Sequence, residues 1–182
     1  MTLLIIGLVL WWVPHLFKRL MPGLRARLGA PFKGVVAVAI FASLAAMIFG
    51  YRGADFIAVW SPPAWGVHLN NLLMLVSVFL FGLGNSKSRL SGQLRHPMLT
   101  GAAVWAVAHL LVNGDLASMV LFGGIGLWAV LEMLVINGSE PVWERKSGGS
   151  VKGDLRLGAI TVIVFGVVAA IHMFVGPSPF PG

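Results

Sequence analysis

The chain reads as an all-α, polytopic transmembrane bundle of six spans with both termini outside the cytoplasm, on three observations. Apolar residues fill 58% of the 182 positions and charged residues only 10%, with a mean hydropathy of +0.90. A soluble domain carries about 25% charged residues. The apolar residues gather into six runs of spanning or nearly spanning length. Twelve of the thirteen Lys and Arg then fall in alternate connections between those runs, leaving only Arg52 on the other side. Membrane topology imposes that asymmetry, with the basic connections in the cytoplasm.

Taken in order, the first run is Thr2–Phe17, followed by the basic connection Lys18–Lys33. It is not a cleaved leader, because its charge follows the apolar stretch and no small-residue cleavage site precedes Lys18. Gly34–Tyr51 is the second run, Arg52–Pro62 a nearly neutral connection, and Pro63–Leu83 the third run. Gly84–His96 is a short basic connection, and Pro97–Val112 the fourth run, with proline suited to a first helical turn. Asn113-Gly114-Asp115 is turn chemistry, with Asp115 placed to cap the fifth run, Leu116–Ile136. Asn137–Arg156 is the longest polar connection, Leu157–Val175 the sixth run, and a Pro/Gly-rich tail follows. A span needs about 20 residues, so the first and fourth runs are short and rely on interfacial residues or local thinning. The whole of 1–182 reads as one transmembrane domain.

The same numbers exclude function classes. There is no cysteine, which removes disulfides, thiolate metal sites, iron–sulfur clusters and thiol catalysis. The net charge of +7 comes from the cytoplasmic connections and calls for no nucleic acid. No phosphate-binding glycine loop, HExxH or GxSxG elbow occurs. The bilayer is the implied partner.

Small residues supply helix contacts in lipid, where burial alone does not drive helices together. Ala37, Ala39, Ala42, Ala45 and Ala46 fill that role in the second run, Ala102 and Ala106 in the fourth, and Gly123, Gly124 and Gly126 in the fifth. A flat ligand lying on the glycine face is the alternative use. Trp11, Trp12, Trp60, Trp65 and Trp143 stand near run ends as an aromatic belt, whereas Trp105 and Trp128 stand mid-run.

The polar residues inside the apolar runs carry the functional reading. His15, His68, His109 and His172 lie within runs and His96 at the mouth of the fourth. Ionisable groups at membrane depth mark functional sites, and neutral imidazole is the commonest metal ligand and a haem axial ligand. At 1.5 Å per residue, His68, His109 and His172 share a level about 5–8 Å inside the outer surface. His15 lies about 20 Å from that surface, near His96 and Glu132. Glu132 is expected to pair with Arg95 or to snorkel. Trp105, four residues before His109, is placed to stack on its ring or to wall a ligand.

The run RHPMLTGAAVWAVAHLLVNGDLASMVLFGG closely resembles the NnrU family of membrane proteins. His15 before a basic Pro-Gly stretch, WSPPAW with His68 after it, and His172 followed by Gly176-Pro177-Ser178-Pro179 extend the resemblance along the chain. That family is associated with denitrification and the nitric oxide response. It is similar to zeta-carotene isomerase, which holds haem b through two histidines. The resemblance implies a haem b protein of the inner, cytoplasmic membrane, with His109 and His15 on the iron and His68 and His172 as alternatives. It also implies a redox-dependent isomerisation of a lipophilic substrate, in a slot near Trp105 and the Gly123–Gly126 face. Arg95-His96-Pro97 also resembles the motif with which membrane methyltransferases hold S-adenosylmethionine, which makes Arg95 and His96 cofactor-binding candidates. In those enzymes two adjacent glutamates complete the site; here Glu140 and Glu144 stand apart. A non-catalytic assembly factor for a denitrification enzyme is the third possibility.

Overall fold

A computed structural model describes residues 1–145, 147–176 and 178–180. Lys146 of the basic connection, and Pro177, Pro181 and Gly182 of the tail, lie outside the described residues. The elements are α1 (Thr2–Leu20), α2 (Pro22–Leu28), α3 (Phe32–Arg52), α4 (Gly66–Leu83), a 3₁₀ turn (Arg89–Gly92), α5 (Pro97–Leu110), α6 (Leu116–Ser139) and α7 (Val151–Val175). Among the described residues the only other regular pairing is two isolated β-bridges.

Five helices, α1, α3, α4, α6 and α7, are long and apolar enough to cross a membrane, and α5 is a shorter apolar helix of 14 residues. Fourteen residues rise about 21 Å, less than a hydrocarbon core of about 30 Å. Large apolar side chains are exposed along every long helix, including Phe41, Val38, Val162 and Phe174. That is the surface of a chain dissolved in lipid.

Several boundaries differ from the sequence reading. Helix α1 runs on through Lys18 and Arg19 with Pro14 inside it, and the first basic connection holds the extra helix α2. Helix α7 starts at Val151, six residues before the apolar run, because Ser150 caps it by accepting from the Gly153 amide at 3.1 Å. The Asp154 carboxylate then accepts from the Ser88 hydroxyl (2.7 Å), the Arg89 amide (2.8 Å) and Arg89 Nε (2.6 Å). The connection counted as polar through Arg156 is therefore helical over its last six residues.

The chain divides into two compact units, Met1–Ser61 with Asn113–Pro141 and Pro62–Val112 with Val142–Gly182. In the first unit α1 packs on α3 and α6; in the second, α4 packs on α5 and α7. The first unit turns on glycine at its helix crossing. A Cβ on Gly7 would lie 2.7 Å from the Met47 amide nitrogen, and one on Gly50 would lie 2.7 Å from Leu4 Cα. The buried face of α3 is Ser43, Met47 and Gly50, spaced as one helical stripe, while Ala37, Ala42 and Ala45 are exposed. Ala39 and Ala46 are half-buried and fall on this stripe, so alanine content marked the contact face of this helix only in part. Gly124 does lie in a helix contact, with a Cβ there 2.9 Å from the Leu8 side chain, but Gly123 faces open space.

Asp115 caps α6 as expected, accepting from the Ser118 amide at 2.9 Å and from its hydroxyl at 2.5 Å. Ser118 Oγ in turn lies 2.9 Å from the Tyr51 hydroxyl. The Gly114 carbonyl accepts from the Val59 and Trp60 amides, and the Leu116 amide donates to Ile57, so the connection after α3 is strapped to this turn. Burial would raise the Asp115 carboxyl, but the bonds donated by Ser118 outweigh it and hold the group below the ordinary carboxylate range. A lowered pKa means stabilisation that is complete above the unfolded value of about 3.9 and is lost as pH falls through the folded one.

Two predictions follow from these contacts. Gly50→Ala is expected to destabilise the detergent-solubilised protein by about 1–3 kcal/mol in denaturant titrations, because backbone cannot yield to the added methyl. Gly123→Ala should stay within about 0.5 kcal/mol. Asp115→Ala should cost about 1 kcal/mol at neutral pH, and the difference from wild type should shrink below pH 4.

Candidate functional site

The second unit gathers polar side chains at one end. His109 stands in the last turn of α5 and His172 in the last turn of α7. The Nδ1 atom of each donates to the carbonyl one turn back, His109 to Trp105 at 2.9 Å and His172 to Val168 at 2.9 Å. A neutral imidazole with its proton fixed on Nδ1 carries its lone pair on Nε2, the form in which it serves as a metal ligand. The Trp105 indole stacks tilted on His109, ring centroids 4.7 Å apart.

Both imidazoles line a cavity of about 50 Å³ together with Asn70, Asn71, Met74 and Phe165. Asn70 Nδ2 donates to Asn71 Oδ1 (3.2 Å), and Asn71 Nδ2 donates to the Pro179 carbonyl (2.8 Å). Asn70 Oδ1 is buried with no hydrogen-bond partner among the described residues, so an acceptor stands unsatisfied at the cavity wall. A second cavity, of about 390 Å³, shares Met74, Val78 and Val168 with the first and is closed by Phe81, Trp105 and Val164. A small polar chamber thus shares walls with a larger apolar slot. The slot falls within the roughly 300–1,000 Å³ usual for cofactor sites.

The family model described as NnrU protein matches residues 3–179. The chain belongs to the NnrU family. No curated protein and no solved structure matches it.

On this NnrU fold His109 and His172 line one cavity of the second unit, and His15 belongs to the first unit. There its Nδ1 donates to the Trp11 carbonyl at 2.6 Å, and its ring lies 4.3 Å from Trp11 and 4.8 Å from Trp128. The buried indole nitrogens of Trp11 and Trp128, and Glu132 Oε2, have no hydrogen-bond partner among the described residues. His68 is exposed on α4 and lines neither chamber.

Within the second unit the slot beside Trp105 is walled by α4 and α7. The Gly123–Gly126 face belongs to the first unit, where Gly124 meets Leu8. Glu132 also lies in the first unit, where the Arg19 charge acts on it. Arg19 itself is ion-paired with Glu140.

Among the described residues no group of three or more His, Cys, Asp or Glu is arranged to hold a metal ion. A haem iron needs only one or two imidazoles. What sequence reading missed was the wall of the slot. Asn70, Met74, Ser77, Val78 and Phe81 recur at helical spacing along α4, so the stripe running from amide to thioether to aromatic was available as a signal.

The two asparagines should respond differently to replacement. Asn71→Leu should detach the Pro179 segment and speed proteolysis there in detergent. Asn70→Leu, which removes an unsatisfied buried acceptor, should lower thermal stability less than Asn71→Leu does.

Proposed function

We propose that this chain is a six-span protein of the cytoplasmic membrane, both termini outside, that holds haem b in its second unit. His109 and His172 are the iron ligands. The observation that carries this reading is that these two imidazoles, each fixed through Nδ1 to its own helix, line one chamber that shares walls with an apolar slot. The six-span topology rests on the basic residues, which fall almost wholly on one set of connections. α5, at 14 residues, falls short of the usual span, so its crossing relies on interfacial residues or local thinning of the bilayer.

The chamber of about 50 Å³ is too small for a macrocycle, but the adjoining slot of about 390 Å³ is large enough to take part of one. Met74, Val78, Phe81, Trp105 and Val168 would wall it and exclude water. The backbone carbonyls of Trp105 and Val168 would hold the imidazoles in their ligand tautomer and fix their orientation. Haem, when bound, supplies a one-electron redox centre and a site for diatomic gases. The apolar walls suit a lipophilic substrate, and a redox-dependent isomerase of such a substrate, acting in denitrification or the nitric oxide response, is the activity proposed.

The test is the visible spectrum of purified protein after reconstitution with haem. Wild type should show a Soret band that His109→Ala abolishes and His172→Ala weakens or shifts, while His15→Ala keeps it. A wild type that gives no band, or a band unchanged in both His109→Ala and His172→Ala, overturns the assignment.

A further inference from the structure

The first unit carries a groove of about 450 Å³ along one face of α1, from Ile5 to Met21, with Gly124 of α6 beside it. We propose that it holds one chain of an anionic phospholipid whose headgroup sits on the cationic segment between Lys18 and Lys33. The inference is independent of the haem reading, which concerns the other unit. Ile5, Val9, Val13, Leu16 and Leu20 recur every three or four residues and so form one stripe of the helix. Most of that stripe is exposed, because α1 packs on α3 through a different face, where Gly7 lies against Met47. At the edge of the stripe Leu8 meets Gly124, and glycine leaves no side chain to fill the groove. Every described lining residue is aliphatic, aromatic, methionine or glycine. From Ile5 to Met21 the helix rises about 24 Å, against a leaflet depth of roughly 15 Å. A lipid anchored at the Met21 end therefore keeps its chain in the groove over its whole length.

Charge selects the lipid. The groove ends at Leu20 and Met21, inside a stretch, 18–33, that holds five Lys and Arg and no Asp or Glu. Two of these cations are engaged: Arg19 is ion-paired with Glu140, and Arg25 donates to the Gly29 carbonyl at 2.8 Å. The side chains of Lys18, Arg27 and Lys33 are exposed and make no hydrogen bond or ion pair among the described residues. Helix α2 also leaves Leu24 and Leu28 exposed beside its arginines, a mixture of apolar and basic side chains that belongs at a membrane surface. Basic residues next to a span attract anionic headgroups, each worth roughly fivefold in affinity. A zwitterionic lipid fills the groove equally well but leaves the three cations without a counter-charge.

Delipidated full-length protein in detergent is titrated with phosphatidylglycerol and, separately, with phosphatidylcholine of the same chains in mixed micelles. Binding is read by native mass spectrometry. Saturable binding of one phosphatidylglycerol, about tenfold or more tighter than phosphatidylcholine, is the expected result. The triple variant Lys18→Gln, Arg27→Gln, Lys33→Gln should weaken phosphatidylglycerol about tenfold to hundredfold and erase the preference. Val13→Trp, which fills the groove, should weaken both lipids severalfold, whereas Lys152→Gln, an exposed cation of the second unit, should change neither. Position is read separately. The chain has no cysteine, so Val13→Cys carries a single fluorophore, which phosphatidylglycerol brominated on its chains should quench. Brominated phosphatidylcholine at the same concentration should quench it less. If the triple variant fails to fold by circular dichroism, wild type carries the charge test, with weaker phosphatidylglycerol binding expected as salt rises from about 50 to about 500 mM. The proposal is overturned if the two lipids bind alike, if the folded variants bind like wild type, or if the label is not quenched. A dimer that buries the label and excludes lipid overturns it as well and gives the groove to a second copy of the chain.

Discussion

A polar side chain in hydrocarbon must find its hydrogen-bond partner on its own helix or on one it touches, because no water is there to take its place. That constraint organises this molecule. His15, His109 and His172 each turn Nδ1 onto the carbonyl four residues back. Thr100 and Thr161 do the same with their hydroxyls, Ser43 donates to the carbonyl three residues back, and Ser77 reaches across to Gly101 on the next helix. Each of these bonds leaves the helix ladder intact while removing a polar atom from lipid. The atoms left over are therefore informative. Among the described residues, Asn70 Oδ1 in one unit, and two indole nitrogens with a Glu132 oxygen in the other, are buried side-chain atoms without a hydrogen-bond partner.

The two ends of the second unit divide the chemistry. One end offers neutral imidazoles and amides around a small chamber, with an apolar slot beside it. The other carries Arg95 and His96 on the lining of a separate cavity between α4 and α5. Lone pairs at the first suit a metal centre. The stripe on α4 that runs from Asn70 to Phe81 is the structural link, since it walls both the chamber and the slot before the helix ends near Gly84.

Much of this architecture could be read from residue order. Hydropathy located every long helix, and Asn113-Gly114-Asp115 gave the turn and the cap, because lipid and capping impose rules that act locally. Contacts that depend on two segments far apart in the chain were out of reach. Nothing in Gly7 or Gly50 announces that each touches backbone, and the alanines of α3 drew attention away from Ser43 and Met47. The start of α7 was hidden because Lys152, Asp154 and Arg156 look like a loop until Ser88 and Arg89 supply the partners for Asp154. Likewise, depth along a helix put His109 and His172 at one level, but only the packing of α4 against α5 and α7 closes a chamber around them.

The order in which the units are completed has a consequence for biosynthesis. The first unit is made of Met1–Ser61 and Asn113–Pro141, with α4 and α5 of the second unit lying between them in the chain. A ribosome therefore delivers α1 and α3 well before α6 can reach them, and α4 and α5 well before α7. The glycine crossing of α1 and α3 can form as soon as α3 is made. The face of α1 that receives α6, with the Trp11 indole on it, must wait in the membrane, open to an insertion chaperone or to the lipid itself, until α4 and α5 have been delivered.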